Sequence, residues 1–234
     1  MSQTTNPSPP DAPVSSALPV QTTDQPLRID LGCGTVPAPG FVGVDVRAFP
    51  GVSVVLDFGG GVGDLQFLAA EDPLAYETYS RSNDSRLTPK PWPWADDSVD
   101  EARSSHSLEH LTPAQRVWFA NELYRVLKVG AKCTIVVPHW CSPRAYGDLS
   151  HKWPPVSEYW PSYLSEEWRR TQAPHNDFYR CNFASPGGYV LHPEIAARNP
   201  EYQNWAMKFL KDAAQDYVFT LEKLPRLPPQ GGPK

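Results

Sequence analysis

An open α/β fold is predicted for this chain, with a sheet of short strands and helices on both faces, and 234 residues suffice for one substantial domain. Two observations carry that expectation. Short apolar runs bounded by Gly and Pro alternate with segments of helical period between residues 27 and 224, the pattern of a sheet covered by helices. Asp30, Asp45 and Asp57 close the first three of those runs. Acids at three strand ends fall on the carboxyl edge of the sheet, where open α/β folds bind ligands.

The elements follow in order. Residues 1 to 26 hold Pro7, Pro9, Pro10, Pro13, Pro19 and Pro26 among Ser, Thr, Gln and Ala, without apolar period, and read as a disordered leader. It has neither the basic start nor the long apolar core of a secretory signal. The absence of Lys or Arg before Arg28 argues against a mitochondrial transit peptide. Leu27–Leu31 and Phe41–Val46 read as buried strands and Val52–Phe58 as a third, rich in β-branched residues. Residues 59 to 63, "GGGVG", read as a flexible break, and the polar stretch that runs on to Pro91 holds two short helices, Asp64–Ala70 and Leu74–Tyr79. With Tyr76, Tyr79, Arg81 and Arg86 it is a candidate lid or partner surface, and equally well a solvated loop.

Val99–Ser104 is the fourth strand. The clearest helix follows: Thr112 caps it, Pro113 suits its first turn, and Gly130 sits where a glycine stop belongs. Val117, Ala120, Leu123, Tyr124 and Leu127 fall on one of its faces. Ala131–Pro138 reads as the fifth strand, residues 139 to 175 as irregular, and Phe178–Phe183 as another strand. Asn199–Gln215 reads as a helix, Tyr217–Leu224 as the last strand, and residues 225 to 234 as a loose tail.

Charge and composition narrow the function classes. A net charge of −5, with basic residues that form no runs, argues against a nucleic-acid partner held through its phosphates. No stretch approaches the roughly 20 apolar residues of a membrane span. Cys33, Cys133, Cys141 and Cys181 lack the spacing of a disulfide framework, and reduced thiols in a cytoplasmic protein are expected.

The glycine-rich turn "DLGCGTVPAPG" distinguishes two kinds of ligand. A dinucleotide fingerprint, G-x-G-x-x-G with an acid about 20 residues on, finds its first two glycines in Gly32 and Gly34. Its third position is Pro37, and Asp45 comes too early. A ligand without phosphate fits better, and S-adenosyl-L-methionine is one. Asp30 could accept near its ammonium end, Gly32 and Gly34 could leave bare backbone against tail and ribose, and Asp45 could take both ribose hydroxyls. Asp57 could accept from the adenine amino group, with Phe58 beside the ring. A strand-end aspartate also serves simply as a turn former.

"DLGCG", "GFVGVDV", "VVLDF", "PWPWADDSVDEARSSHSLEHL" and "NELYRVLKVGAKCTIVVP" occur in this order. Together they resemble class I S-adenosylmethionine-dependent methyltransferases, and especially the compact predicted ones whose pattern reads LGCG, GFxxVD, HxLEHL, RVLKPGG. The resemblance covers residues 27 to 138, with a weaker echo in "DLSHKW". It implies a Rossmann-like, mostly parallel seven-stranded sheet with a reversed last hairpin and shortened early crossovers. It also implies a methyltransferase domain over residues 27 to 224, with a cofactor held by Asp30, Gly32, Cys33, Gly34, Asp45, Asp57 and Phe58. Ser105 and His106 would face that cofactor. Three departures stand out: Val36 replaces the family's third glycine, "KPGG" has become Lys128-Val129-Gly130-Ala131, and about 30 residues are inserted between Phe58 and Trp92.

Methyl transfer requires alignment, exclusion of water and sometimes a base, most suitably a histidine. His106 and His151 are the candidate catalytic residues; a polar lid over the cofactor is the alternative for His106. Glu109 and His110 are expected to brace the loop before the helix. His139, Cys141 and His151 could be drawn together, but no paired ligand motif supports a metal, and none is expected. By the family echo, Asp148 and His151 overhang the substrate pocket. Trp140, Trp153, Trp160 and Trp168, with Tyr146, Tyr159 and Tyr163, are expected to be hydrophobic cover for the most part. The expected function is methyl transfer to a small-molecule or sugar-like acceptor. The alternatives are a non-catalytic binder of the same cofactor and a methyltransferase for a protein or RNA target.

Overall fold

Apolar runs that are short and walled by turn residues can satisfy their backbone only by pairing, and they do so here in one sheet. The computed structural model describes residues 25–57 and 91–229. Its strands are β1 (Arg28–Leu31), β2 (Val42–Asp45), β3 (Val52–Val55), β4 (Val99–Ser105), β5 (Leu127–Pro138), β6 (Phe183–Ala184), β7 (Gly187–Leu191) and β8 (Ala214–Lys223). The helices are α1 (Pro113–Val126), α2 (Arg144–Gly147), α3 (Glu166–Gln172), α4 (Pro193–Ala196) and α5 (Pro200–Phe209). The sheet order is β3-β2-β1-β4-β5-β8-β6, with β7 also on β8. β3 through β5 are parallel, and β8 runs antiparallel to β5, β6 and β7. The expected mostly parallel sheet with a reversed last hairpin is present.

The strand expected over Phe178–Phe183 is largely absent. Only Phe183 reaches the sheet, because the Asn121 side chain of α1 takes the Phe178 carbonyl and the Arg180 N–H. The edge continues instead as β7, after a break at Pro186, which has no N–H to donate. Among the described residues eight strands therefore stand where seven are expected.

The early crossovers are reduced to turns, since residues 32–41 and 46–51 contain no helix. Carbonyl and carboxylate acceptors replace it. The amides of Gly32 and Cys33 both donate to the Val44 carbonyl, and Ala38 N–H donates to Asp30 Oδ2 at 2.8 Å. Pro37 lies against β2 so closely that a Cβ on Gly43 would sit 2.6 Å from its Cγ and 2.8 Å from the Gly51 carbonyl. The residue that spoils a dinucleotide fingerprint is thus part of the packing of this turn.

Thr112 caps α1, and a reciprocal bond from Thr112 N–H to the Gln115 side chain completes a capping box. Gly130 does not end the helix. Leu127 turns extended and enters β5 at once, and Gly130, at φ +81°, lies where β5 slips against β4 between the pairs Val99–Leu127 and Glu101–Lys132. The buried face of α1 also differs from the expected one. Phe119, Ala120, Leu123 and Val126 point inward with Arg116 and Glu122, while Val117 and Tyr124 are half-buried. Two buried charges on the inner face blur the apolar period. The core joins Ile29, Leu31, Val44, Phe119, Ile135 and Phe219 with Trp92 and Trp94.

Residues 139–175 are less irregular than expected, holding α2, α3 and a 3-10 turn over Trp160–Leu164. The helix expected over Asn199–Gln215 stops at Phe209. Most of the leader, Phe58, nearly all of the insertion and the end of the tail lie outside the described residues. Among the described residues no helix is long and apolar enough to cross a membrane. All four cysteines are free.

Candidate functional site

Because β1, β2 and β4 run parallel, the residues that leave them meet on one edge. A cavity of about 590 Å³ opens there, a size usual for small-molecule sites. Gly32 and Gly34 line it from the turn after β1, Asp45 from the end of β2, and Asp57 from beyond β3. His106, Ser107 and His110 line it from the segment after β4, and Ser150 and Lys152 from the segment after α2.

Gly32 and Gly34 have φ of +75° and +59°, in the left-handed region where a glycine is least strained. A Cβ on Gly34 would meet nothing within 4 Å, so this backbone is bare towards open space. Asp45 is 8 % exposed and accepts from Gly34 N–H at 2.9 Å through Oδ2 and from Arg47 N–H at 3.1 Å through Oδ1. Each oxygen keeps a lone pair for a further donor. Asp57 is exposed on the cavity.

The other expected cofactor residues are placed differently. Asp30 is buried and does not line the cavity; its carboxylate holds Ala38 N–H and lies 3.4 Å from Arg103 Nε. Cys33 also lies outside the lining, and burial, with Asp30 and Asp45 nearby, pushes its thiol up to about 11. Ser105 ends β4 away from the cavity wall, and Ser107 lines it instead.

His106 has φ +51°, a strained conformation for a residue with a Cβ, and such strain gathers at functional sites. Its Nδ1 lies 3.4 Å from Glu109 Oε1 and its Nε2 4.0 Å from Asp216 Oδ1. The hydrogen bond to Glu109 outweighs burial and raises its pKa above the usual histidine value. His151 does not line the cavity, although Ser150 and Lys152 on either side do, and Asp148 is exposed outside it. The ring of His151 stacks edge-on against His110 with centroids 4.8 Å apart.

His110 is more than a loop brace, since it lines the cavity and its Nδ1 is 2.9 Å from Ser150 Oγ. The cluster expected of His139, Cys141 and His151 divides. His139 Nδ1 and Cys141 Sγ are 2.9 Å apart, whereas His151 groups with Glu109 and His110. Burial lowers the pKa of His139, against the opposing pull of Glu158.

Arg116 organises this side. Its buried guanidinium donates to the carbonyls of Leu108, Glu109, Lys152 and Pro154, so one side chain ties the turn after β4 to the loop carrying His151. Lys152 N–H adds a bond to the Glu109 carbonyl at 2.8 Å. Burial pulls the Arg116 pKa down to about 10, and it remains a cation at neutral pH. Ser107, Ser150 and Lys152 escaped sequence reasoning, which has His110 only as a brace of the loop. No period marks them, and the one clue was a charged residue, Arg116, on the inner face of a helix.

The aromatic cluster is only partly cover. Trp160 packs on Phe219 and donates to Tyr179, whereas Trp140, Tyr146, Trp153 and Tyr159 are exposed.

Neither a family model nor a curated protein matches the sequence. Solved structures similar to this chain include an S-adenosylmethionine-dependent methyltransferase from Archaeoglobus fulgidus, at 15 % identity and TM-score 0.48, covering 86 % of this chain and 87 % of that one. Another methyltransferase with the same cofactor dependence, from Methanosarcina mazei, is 14 % identical at TM-score 0.43, covering 88 % and 95 %. The geranyl diphosphate C-methyltransferase of Streptomyces coelicolor A3(2), solved with Mg2+, geranyl diphosphate and S-adenosyl-L-homocysteine, is 11 % identical at TM-score 0.41, covering 85 % and 71 %.

Proposed function

We propose that this protein is an S-adenosyl-L-methionine-dependent methyltransferase acting on a small-molecule or sugar-like acceptor. One observation carries the proposal: the carboxylates of Asp45 and Asp57 and the bare backbone of Gly32 and Gly34 share one cavity with His106. Two acceptors beside a glycine-lined wall suit a ribose, an amino group and an unphosphorylated tail. In this reading Asp45 holds the ribose hydroxyls and Asp57 the adenine amino group. Asp30 and Cys33 act through the shape of the turn, and Ser105 acts through the segment it starts.

S-adenosyl-L-methionine supplies a methyl group on a sulfonium, which needs no further activation. The chain's own task is to hold the acceptor in line and to remove its proton where it has one. His106 directs its Nδ1–H towards Glu109 Oε1, which leaves Nε2 to accept a proton. His151 acts from behind His110 as a positioning residue rather than as a second base.

Calorimetry with S-adenosyl-L-methionine and S-adenosyl-L-homocysteine tests the premise, and absence of binding by folded protein overturns it. Asp45→Ala should weaken binding by roughly 10–100-fold, the worth of a charge-assisted hydrogen bond. Asp57→Ala should weaken it by roughly 10-fold. Transfer of a labelled methyl group to a metabolite extract separates an enzyme from a protein that only binds. Loss of that transfer in His106→Ala, with cofactor binding intact, supports the assigned base.

A further inference from the structure

Glu109, His110 and His151 each offer one ligand atom within 4.8 Å of the others, the single group of this kind among the described residues. Hydrogen-bond chemistry fixes what each offers. The Ser150 hydroxyl donates its only proton to Asp148 Oδ1 at 2.6 Å, so towards His110 Nδ1, 2.9 Å away, it can only accept. His110 therefore carries its proton on Nδ1 and presents a lone pair at Nε2. His151 Nδ1 lies 3.1 Å from the Ala145 carbonyl, which also only accepts, so its Nε2 is likewise a lone pair. Neutral imidazoles fixed through one nitrogen by an oxygen acceptor are the form in which histidines bind metal.

One oxygen of the carboxylate is likewise unspent. Glu109 is 5 % exposed, Oε1 faces His106, and Oε2 is buried with no hydrogen-bond partner among the described residues. A buried carboxylate oxygen without a donor is costly unless something positive meets it. Arg116 holds the two backbone segments together, so the three donors are assembled before any ion arrives.

We propose that Glu109, His110 and His151 bind a divalent transition-metal ion of the zinc type on the wall of the cavity. Two imidazoles and a carboxylate match that class, and three protein ligands leave a coordination position open. His110 lines the cavity, so an ion there is reachable from it. Asp148 Oδ2, 3.9 Å from His151 Nε2, stands near as a further oxygen donor. The proposal rests on this chain's own donors and is independent of the cofactor reading.

The test is titration of the full chain, stripped with a chelator, with Zn2+ by calorimetry and Co2+ by visible absorption. One equivalent should bind, with a Co2+ spectrum of a nitrogen- and oxygen-ligated ion. His110→Ala and His151→Ala should each lower affinity by about 100-fold or more, and Ser150→Ala by about 10-fold. His175→Ala, at an exposed position apart from the group, should leave it unchanged. Glu109→Gln keeps side-chain size and should still cost about 100-fold, which guards against misfolding of the alanine variants. Equal binding by wild type and the His110→Ala/His151→Ala double variant, or no binding by wild type, overturns the proposal.

Discussion

Two irregular connections meet at the cavity and are held in opposite ways. The turn after β1 is held from within its own neighbourhood: Asp30 takes an amide 8 residues ahead, and Asp45 one 11 residues back. The loop carrying Ser150, His151 and Lys152 is held from far away. Arg116 reaches carbonyls 36 and 38 residues on, and His110 meets Ser150 across 40. The first is held mainly by its near residues, with Arg103 of β4 3.4 Å from Asp30, whereas the second exists only once β4 and α1 are in place.

Arg116→Met should expose the difference most sharply. It removes the donor from two buried and two part-buried carbonyls and should cost about 3 kcal/mol in urea unfolding, with faster amide exchange at Lys152 and no change at Gly34. A cost below about 1 kcal/mol would show that the distant loop holds itself.

Gly43→Ala attacks the other region through packing. The new methyl meets Pro37 and the Gly51 carbonyl, and should cost about 2 kcal/mol. Pro37→Ala in the same chain should recover part of that loss, and strict additivity of the two changes would refute the contact.

Asp30→Asn should cost about 1 kcal/mol and speed amide exchange at Ala38 while leaving Lys152 unchanged. Exchange rising equally at both sites would mean that the two connections are one cooperative unit.

Acid should loosen another long-range junction, that of α3 with residues 226 and 227, with the smallest effect. Burial disfavours the charge on Glu166, but Leu227 N–H, Arg226 and Arg170 outweigh it and lower its pKa below 4.5. The stability it contributes is therefore present above that value and lost as pH falls through the depressed one. Glu166→Gln should flatten the acid limb of a stability-versus-pH curve, and an unchanged limb would remove Glu166 from the set of long-range anchors.

Legibility in the sequence followed the same division. β1 through β4, the cap of α1 and the grouping of Gly32, Gly34, Asp45 and Asp57 were readable, because each signal lies within a few residues of its effect. β7 was not, since its first four residues are exposed and their order comes from β8 alone. Phe178–Phe183 carried the aromatic run of a strand, but Asn121 captured its backbone. Gly130 read as a helix stop and proved to be a slip between strands, because chain position does not say which backbone lies opposite.

By itself, then, the sequence determined the α/β class, the acids at the strand ends and the bare glycine wall, all products of local periodicity and turn chemistry. Only the tertiary structure decided that His151 belongs with Glu109 and His110 rather than with His139 and Cys141. It did so because a buried guanidinium must satisfy its donors on whatever carbonyls the fold brings near, and no local pattern encodes which those are.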